Sequence, residues 1–416
     1  MNLIYPRTAW PLRLVLAVLV LGLLWFLQGT VPRVFGPYIN HILLVAGINV
    51  ILAVSLTLIN GITGQFSLGH AGFMAVGAYS SAYFTVHVGP QIRARSQSEA
   101  LANIVIILLA LLIAAVTAGI AGFLVGLPSL RLRGDYLAIV TLGFGQIIVA
   151  LITTIKEVGG ALGFSDLPGL TNFVWVYITA IVSVLAIRNL ANSTLGRSMR
   201  AVRDDEIAAQ AVGINTTQIK VTAFVVSAMC AGFAGMLQVH LDRLAQTDTF
   251  SFTRSVEIVV MVVLGGLGSI TGAIITAVLL TVLVEVLRTI AGAFFVGIGL
   301  ILLATVLSLP RHQAGLREGG AARVQALFRW LRWPTLFLAL TLFVYFNPMW
   351  RAWMEGRVSA LRYIIYALIL IVLMLLRPQG LLGRGEFGWH LFRRAQDQSG
   401  EQAVGGEFKS STRTAE

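Results

Sequence analysis

One polar segment, Asn192–Asn215, holds the residues best suited to a specific interaction. It reads NSTLGRSMRAVRDDEIAAQAVGIN and combines charges of both signs with small residues and a helix-breaking glycine. The segments on each side of it, residues 171–190 and 219–240, are apolar enough to cross a membrane. A much shorter turn would join two such spans. The length and composition of this loop therefore predict that another protein docks on it.

The second half of the loop predicts a short helix with a defined start. Asp204 or Asp205 can cap that helix, and Glu206 then lies near the positive end of the helix dipole. The alanines that follow give a thin face that a partner can approach closely, and Gly213 can turn the backbone where the helix ends. The predicted docking residues are Arg203, Asp205, Glu206, Ala208, Ala209 and Gly213. The alternative is a solvated helix that only connects the two spans.

Two glycine-rich blocks, at residues 61–77 and 265–273, interrupt the apolar part of the chain. Such glycines let helices approach closely, or let a helix break and expose backbone groups to a cavity. The sequence favours neither reading over the other. The candidate pathway-lining residues are Gly64, Gln65, Ser67, Gly69, His70, Gly265 and Gly266. We interpret His70 as a hydrogen-bonded polar residue rather than a proton switch, because no spacing around it predicts a metal site or a relay.

Two acidic residues, Glu257 and Glu285, fall in predicted spans. A charge at the centre of a bilayer costs about 3 kcal/mol or more to insert. Glu257 lies near the start of its span, and Glu285 can pair with Arg288 one turn later. Both are therefore interpreted as anchoring residues rather than as parts of a transport site.

The composition predicts an all-α polytopic membrane protein. The chain of 416 residues is 57% hydrophobic and 12% charged, against roughly 25% charged in soluble domains. Its apolar runs are continuous, whereas the strands of a membrane barrel alternate, and helices satisfy their own backbone groups in lipid. We expect about ten to twelve transmembrane or re-entrant helices. The candidate segments are 12–30, 38–59, 67–87, 101–127, 136–155, 171–190, 219–240, 256–270, 272–287, 291–309, 333–348 and 363–377.

The formal charge of +12 is interpreted as arginines at span ends rather than as a nucleic-acid surface. Arginines concentrate in the loop 192–215, the connection 128–135, the stretch 310–332 and the C-terminal tail. Threading the spans places these four segments on one side, which the positive-inside rule predicts to be the cytoplasm. Both termini are then cytoplasmic, and the composition of residues 384–416 predicts a disordered tail.

The sequence shows no arrangement typical of an enzyme. It has no paired carboxylates, histidine cluster or nucleophile motif, so no catalytic residue, metal or cofactor is predicted. Cys230 is the single cysteine, and alone it can form neither a disulfide nor a thiolate metal site. The phosphate-binding pattern G-x-x-x-x-G-K-[ST] is also absent. Energy from ATP would therefore have to come from a partner protein.

Several blocks of the chain resemble one family of transport proteins. EIAAQAVGIN at Glu206–Asn215 resembles the EAA-type coupling loop of ABC importer permeases. Four further blocks resemble the M-type permease of branched-chain amino acid importers: GQFSLGHAGFMAVGAY at Gly64–Tyr79, RLRGDYLAIVTLGFGQII at Arg131–Ile148, MVVLGGLGSITGA at Met261–Ala273 and RPQGLLG at Arg377–Gly383. The resemblance covers most of residues 38–288 and 361–383. Residues 289–360 look longer than the family core and predict an extra helix pair.

The resemblance implies an ABC importer permease fold over residues 1–383, in the cytoplasmic (inner) membrane of a bacterium. It implies that the chain forms the translocation path for branched-chain, hydrophobic amino acids and pairs with a second homologous permease subunit as a heterodimer. Two cytoplasmic ABC ATPase subunits would dock at the coupling loops. A periplasmic or extracellular substrate-binding protein would deliver the cargo.

Three other functions compete with this interpretation. Related permeases carry urea, amides or other amino acids, and a separate binding protein does much of the selecting, so the sequence leaves the cargo open. An ion-coupled secondary carrier would need acidic residues near the bilayer centre, and those of this chain lie near span ends. A membrane enzyme or scaffold finds no support in the motifs.

Overall fold

The computed structural model describes residues 10–289 except 97, 130–133 and 166. Within these residues the chain is almost entirely helical, and one isolated bridge joins Phe164 to Ala245 in place of any strand. The all-α fold class is confirmed. The predicted spans 291–309, 333–348 and 363–377, the extra helix pair of residues 289–360 and the tail 384–416 lie outside the described residues.

The predicted spans up to residue 287 all overlap helices, but some bounds differ: the span 256–270 runs past the end of the helix Phe252–Gly265 and through the turn that follows it. The first two, 12–30 and 38–59, form one long helix that is interrupted at Gly36, where φ is 83° and ψ is 165°. Length and hydropathy mark five of the described helices as long enough to cross a membrane: α1, α4, α5, α6 and α9. The helices are α1 (Trp10–Thr57), α2 (His70–His87), α3 (Gly89–Arg95), α4 (Glu99–Ser129), α5 (Asp135–Thr154), α6 (Phe173–Asn192), α7 (Thr194–Asp204), α8 (Glu206–Ala211), α9 (Thr216–Asp242), α10 (Phe252–Gly265) and α11 (Ile270–Thr289).

Helix α9 is the centre of the bundle, and small residues let its neighbours reach its backbone. A Cβ on Gly77 of α2 would overlap the backbone of Gly232. A Cβ on Gly232 would in turn overlap the carbonyl of Ala114 in α4, and one on Gly235 would overlap the carbonyl of Met74 in α2. Lipid gives helices no hydrophobic reason to associate, so close van der Waals packing at small residues has to hold them together.

The two ends of the bundle are distinguished by the polar contacts of α9. We call the end that carries α7 and α8 the loop end, and the opposite end the far end. His41 of α1 lies 4.0 Å from Asp242, at the far end of α9. Ser227, about 16 Å along α9 from Thr216 at 1.5 Å per residue, donates to the carbonyl of Ser55 at 2.6 Å. The second half of α1 therefore runs from the far end to the loop end.

Three of the connections between these α-helices bear on the candidate site. The first follows a π-helical turn, Leu58–Ile62, and extends through residues 63–69 to the start of α2. The second, residues 243–251, joins α9 to α10. The third is the turn 266–269 between α10 and α11, in which Gly266 and Gly268 have φ of 106° and 96°.

Replacing Gly232 by valine is expected to destabilise the bundle, because the new side chain would meet the backbone of α4 rather than a movable side chain. Overpacking of this kind costs about 1–3 kcal/mol. The measurement is the thermal unfolding of the purified protein in detergent. Gly143→Val is the matched control, because no described atom of another element lies within 4 Å of a Cβ at Gly143. Equal losses for the two variants would contradict the packing argument.

Candidate functional site

The polar loop folds as two short helices, each with its own N-terminal cap. Ser193 accepts from the amide of Gly196 at 3.3 Å and starts α7. Asp205 accepts from the amides of Ile207 and Ala208 at 2.9 and 3.0 Å and starts α8. Of the two caps that the sequence allows, the structure uses Asp205, and Asp204 belongs to the last turn of α7.

The turn predicted at Gly213 is present between α8 and α9. Its φ is 86°, a value that residues with a side chain rarely adopt. Asn215 then caps α9 by accepting from the amide of Gln218 at 3.0 Å. The loop is thus a pair of capped helices with a fixed exit, not an irregular connector.

Glu206 is held from inside the protein. Its carboxylate accepts from the ammonium of Lys220 on α9 at 2.7 Å, and the side chain of Lys220 is buried. The pair fastens α8 against the first turns of α9. The two residues lie on different helices, fourteen positions apart, so no spacing within one helix predicts the pair.

Most of the residues that α8 and the turn after it expose are apolar or small, with Gln210 as the polar exception, and they differ from the predicted docking set. Ala208 is exposed as expected, whereas Ala209 is buried against the bundle. Two residues outside the predicted set stand out: the exposed fractions are 69% for Ile207 and 76% for Val212. We call the exposed residues Ile207, Ala208, Ala211, Val212 and Gly213 the docking face. An apolar patch at the tip of a polar loop is typical of a protein interaction surface.

Arg203 points from the loop into the bundle. Its Nη1 donates to the carbonyl of Gly61 at 3.2 Å, and its Nε and Nη2 donate to the Asp204 carboxylate at 3.0 and 2.9 Å. The stem of the side chain covers Gly64, whose φ is 72° and where a Cβ would overlap Arg203 Cγ. Gly268 lies on the other side of the same contact, because a Cβ on Gly61 would overlap its backbone nitrogen. Arg203 therefore touches the place where two breaks in the helices meet.

The candidate pathway residues of the first block line the segment 63–69 and the start of α2. The amide of Ser67 donates to Asn60 Oδ1 at 3.1 Å, and Gly69 lies against the backbone of Thr141 in α5. His70 Nε2 is 2.8 Å from Ser55 Oγ, which fits the interpretation of a hydrogen-bonded polar residue. Gln65 is buried, and neither atom of its amide has a hydrogen-bond partner among the described residues.

The second block forms the hairpin between α10 and α11. A Cβ on Gly265 would lie 2.6 Å from the carbonyl carbon of Gly272, and Gly266 ends α10. The two blocks meet where Gly61 contacts Gly268. The glycines account for close packing at both places, and their part in a pathway stays a prediction.

The two intramembrane acids have partners that the sequence did not indicate. Glu285 accepts from the hydroxyl of Tyr38, and the side chain of Arg288 lies outside the described part of the chain. Glu257 accepts from Arg254 Nη1 at 3.2 Å. The sequence analysis did not single out Arg254, which lies two residues before the predicted span 256–270.

Comparison with known proteins assigns the family. A model for the branched-chain amino acid transport system / permease component matches residues 38–309. The chain belongs to this family. It is 32% identical to the high-affinity branched-chain amino acid transport system permease protein LivM of Escherichia coli, over 74% of this chain and 78% of that protein.

Two further relatives agree with the assignment. The LivM protein of Salmonella typhimurium is 33% identical over 67% of this chain and 72% of its own length. A probable branched-chain amino acid transport permease protein LivM of Methanocaldococcus jannaschii is 26% identical over 61% of this chain and 81% of its own length. No solved structure matches the chain. The family and the apolar helices together make this a multi-pass membrane permease of the ABC transporter type.

Lys220→Met is expected to loosen α8, because it leaves the half-buried carboxylate of Glu206 without its ammonium partner. Losing a charged hydrogen-bond partner costs about 1–3 kcal/mol. The measurement is amide hydrogen exchange of residues 206–214 in the purified protein, which should become faster. Gln218→Ala, at an exposed position on the same turn of α9, should leave the exchange unchanged. Unaltered exchange in Lys220→Met would argue against the pair as the fastener of α8.

Proposed function

We propose that the chain is the transmembrane permease subunit of an ATP-driven ABC importer. It forms, with a second homologous permease, the translocation path for branched-chain amino acids across the bacterial inner membrane. Two ABC ATPase subunits bind on the cytoplasmic side, and a binding protein delivers cargo from outside. The chain contributes no ATP hydrolysis, in keeping with the absence of a P-loop motif in its sequence.

The way α7 and α8 are joined to the bundle carries this proposal. A loop that only connects two spans gains nothing from internal anchors. Here the Glu206–Lys220 pair fastens α8 to α9, and Arg203 fastens the end of α7 to Gly61. The docking face, which directly follows the two anchoring residues in the chain, remains exposed. A rigid lever with an apolar outer surface is the form expected where a partner's movement has to reach the membrane helices.

The orientation and cargo follow from the same proposal. The loop end faces the cytoplasm, as the arginine distribution predicts, and both termini lie there. The relatives named for branched-chain amino acid transport favour leucine, isoleucine and valine as cargo.

Reconstitution tests the proposal as a whole. The chain is purified with the second permease and the ATPase encoded beside it and placed in vesicles with the binding protein outside. Leucine uptake should then require ATP on the side of the loop end. Uptake without ATP, or ATP required on the opposite side, would contradict it. Urea or an amide retained by the binding protein in place of leucine would correct the cargo and leave the mechanism standing.

Charging the docking face is expected to release the ATPase. Ile207→Asp combined with Val212→Asp would bury two carboxylates in the interface, and each unpaired buried charge costs several kcal/mol. Copurification of the ATPase with the permease should be lost while the variant still reaches the membrane. Leu162→Asp is the control, because Leu162 is 92% exposed in the connection between α5 and α6 at the far end. Retention of the ATPase by the double variant would rule out this face as the dock.

Arg203→Leu is expected to separate ATP hydrolysis from transport. The ATPase should still bind, because the docking face is unchanged, but its movement would no longer reach Gly61 and Gly268. The measurement is leucine transported per ATP hydrolysed, which should fall by about tenfold for the loss of one charge-assisted hydrogen bond.

Asp204→Asn is the control for Arg203. It removes the ion pair with Arg203 but keeps the contact with Gly61, and exposed pairs contribute little. Arg203 would not transmit the movement if Arg203→Leu kept the leucine-to-ATP ratio of the unchanged protein. The same conclusion would follow if the ratio fell equally in both variants.

A further inference from the structure

The ion pair Arg254–Glu257 lies at half the height of the bundle. Arg254 Nη2 donates to Asn49 Oδ1 at 2.6 Å, and Asn49 Nδ2 donates to Thr281 Oγ1 at 2.7 Å. Asn49 is twelve positions from Pro37 and thirteen from Ile62, about 18–20 Å from each end of the helical stretch that the second half of α1 forms with the π-helical turn Leu58–Ile62, at 1.5 Å per residue. Two full charges are therefore held in the middle of the membrane-spanning region.

Such a pair is poor evidence for a purely structural role. Bringing charges to this depth costs several kcal/mol each, and an ion pair that only packs can often be replaced by apolar residues without loss. Ionisable residues kept at membrane depth usually face a polar cavity or a ligand. Neither side chain is fully covered, since the exposed fractions are 15% for Arg254 and 28% for Glu257. The pair is thus within reach of a small molecule.

A polar approach leads to the pair from the far end. Residues 243–251 descend from the end of α9 to the start of α10, and the carbonyl of Ala245 accepts from the hydroxyl of Tyr79, midway along α2, at 3.0 Å. Gln246 and Asp248 in this segment are exposed. Non-helical backbone at such depth is tolerated only where protein buries it or where it borders water. Its exposed polar residues favour water on this side.

The guanidinium of Arg254 keeps hydrogen-bonding capacity for a carboxylate. Its Nη1 and Nη2 each carry two N–H groups and donate one of them, to Glu257 and Asn49 respectively, so that one N–H on each atom is left over. Arginine binds carboxylates through two parallel N–H donors. Glu257, one turn away and 3.2 Å from Arg254 Nη1, offers a carboxylate to the ammonium group of the same α-amino acid.

The surface next to the pair suits an apolar side chain. Thr253, Val256, Glu257 and Val260 share one face of α10 by their spacing, and all four are partly or fully exposed. The two valines therefore lie directly beside the charges. An amino acid zwitterion with a branched apolar side chain would complement this surface, since its two charges match Arg254 and Glu257 and its side chain matches the two valines.

We infer that Arg254 and Glu257 form a binding site within the membrane for the zwitterionic head of an α-amino acid, with Arg254 holding the carboxylate, Glu257 the ammonium, and Val256 and Val260 the side chain. The site is a resting point between delivery at the far end and release at the loop end. This inference rests on the proposed function and adds to it a specific contact between permease and cargo.

The test is made on the full complex in vesicles, with the unchanged protein measured first so that ATP-driven leucine uptake itself is established separately. In Arg254→Met combined with Glu257→Met, no unpaired charge is left behind. The double variant should assemble and show ATP hydrolysis stimulated by the leucine-loaded binding protein, while leucine transported per ATP falls about tenfold. Glu285→Gln, an acidic residue of α11 bonded to Tyr38, is the control and should keep the ratio of the unchanged protein.

Two results would overturn the inference. A double variant with the unchanged leucine-to-ATP ratio would make the pair a packing element. If the double variant fails to assemble altogether, Arg254→Lys decides, because it keeps the charge but loses the two-pronged donor. The inference then requires a lower ratio in Arg254→Lys, and an unchanged ratio overturns it.

Discussion

Lipid offers no hydrogen bonds to a polypeptide backbone, so every break in a membrane helix has to be covered by other protein or by water. Three such breaks among the described residues bear on function, at residues 63–69, 243–251 and 266–269. The first and third cover each other where Gly61 meets Gly268, and Arg203 closes the contact from the loop end. The second is held to α2 through Tyr79. The candidate pathway residues and the Arg254–Glu257 pair lie at or beside these breaks, because a break is where a membrane protein can place polar groups.

The contacts around α7 and α8 connect these two loop helices to the apolar helices of the bundle. Two charges of the predicted docking loop, Arg203 and Glu206, are turned inward and hold the loop to the π-helical turn after α1 and to α9. What remains outside is a small apolar face. This arrangement suits a rigid coupling element. The contacts of the inward-facing charges resist displacement, because breaking these contacts leaves partly buried groups without those partners. The exposed face stays accessible to a partner protein. A movement imposed on α8 would arrive at the two glycine contacts that close the loop end.

The sequence was sufficient to locate the helices and the glycine-rich blocks, but it did not predict which side chains pair with each other. The capped helix before Gly213 and the glycine-rich blocks followed from residue types with strong local preferences. The inward position of Ala209, the Glu206–Lys220 pair and the Arg254–Glu257 pair beside Asn49 did not. Asn49 and Arg254 are 205 positions apart, and no periodicity relates them. Glu257 was interpreted as a residue near a span end because the length of α10 had been read from hydropathy, whereas α10 starts halfway down the bundle.

The sequence by itself determined that the chain is helical, that it lives in a membrane, where its polar loop falls and which family it belongs to. These properties depend on composition, on hydropathy over some twenty residues, and on short motifs, all of which are local along the chain. Tertiary structure alone decided which glycines are in contact, which face of α8 is exposed and at what depth in the bundle the charges of Arg254 and Glu257 lie. Those depend on how helices stack against one another, and in lipid that stacking is set by the shape of facing surfaces rather than by any pattern of apolar and polar residues.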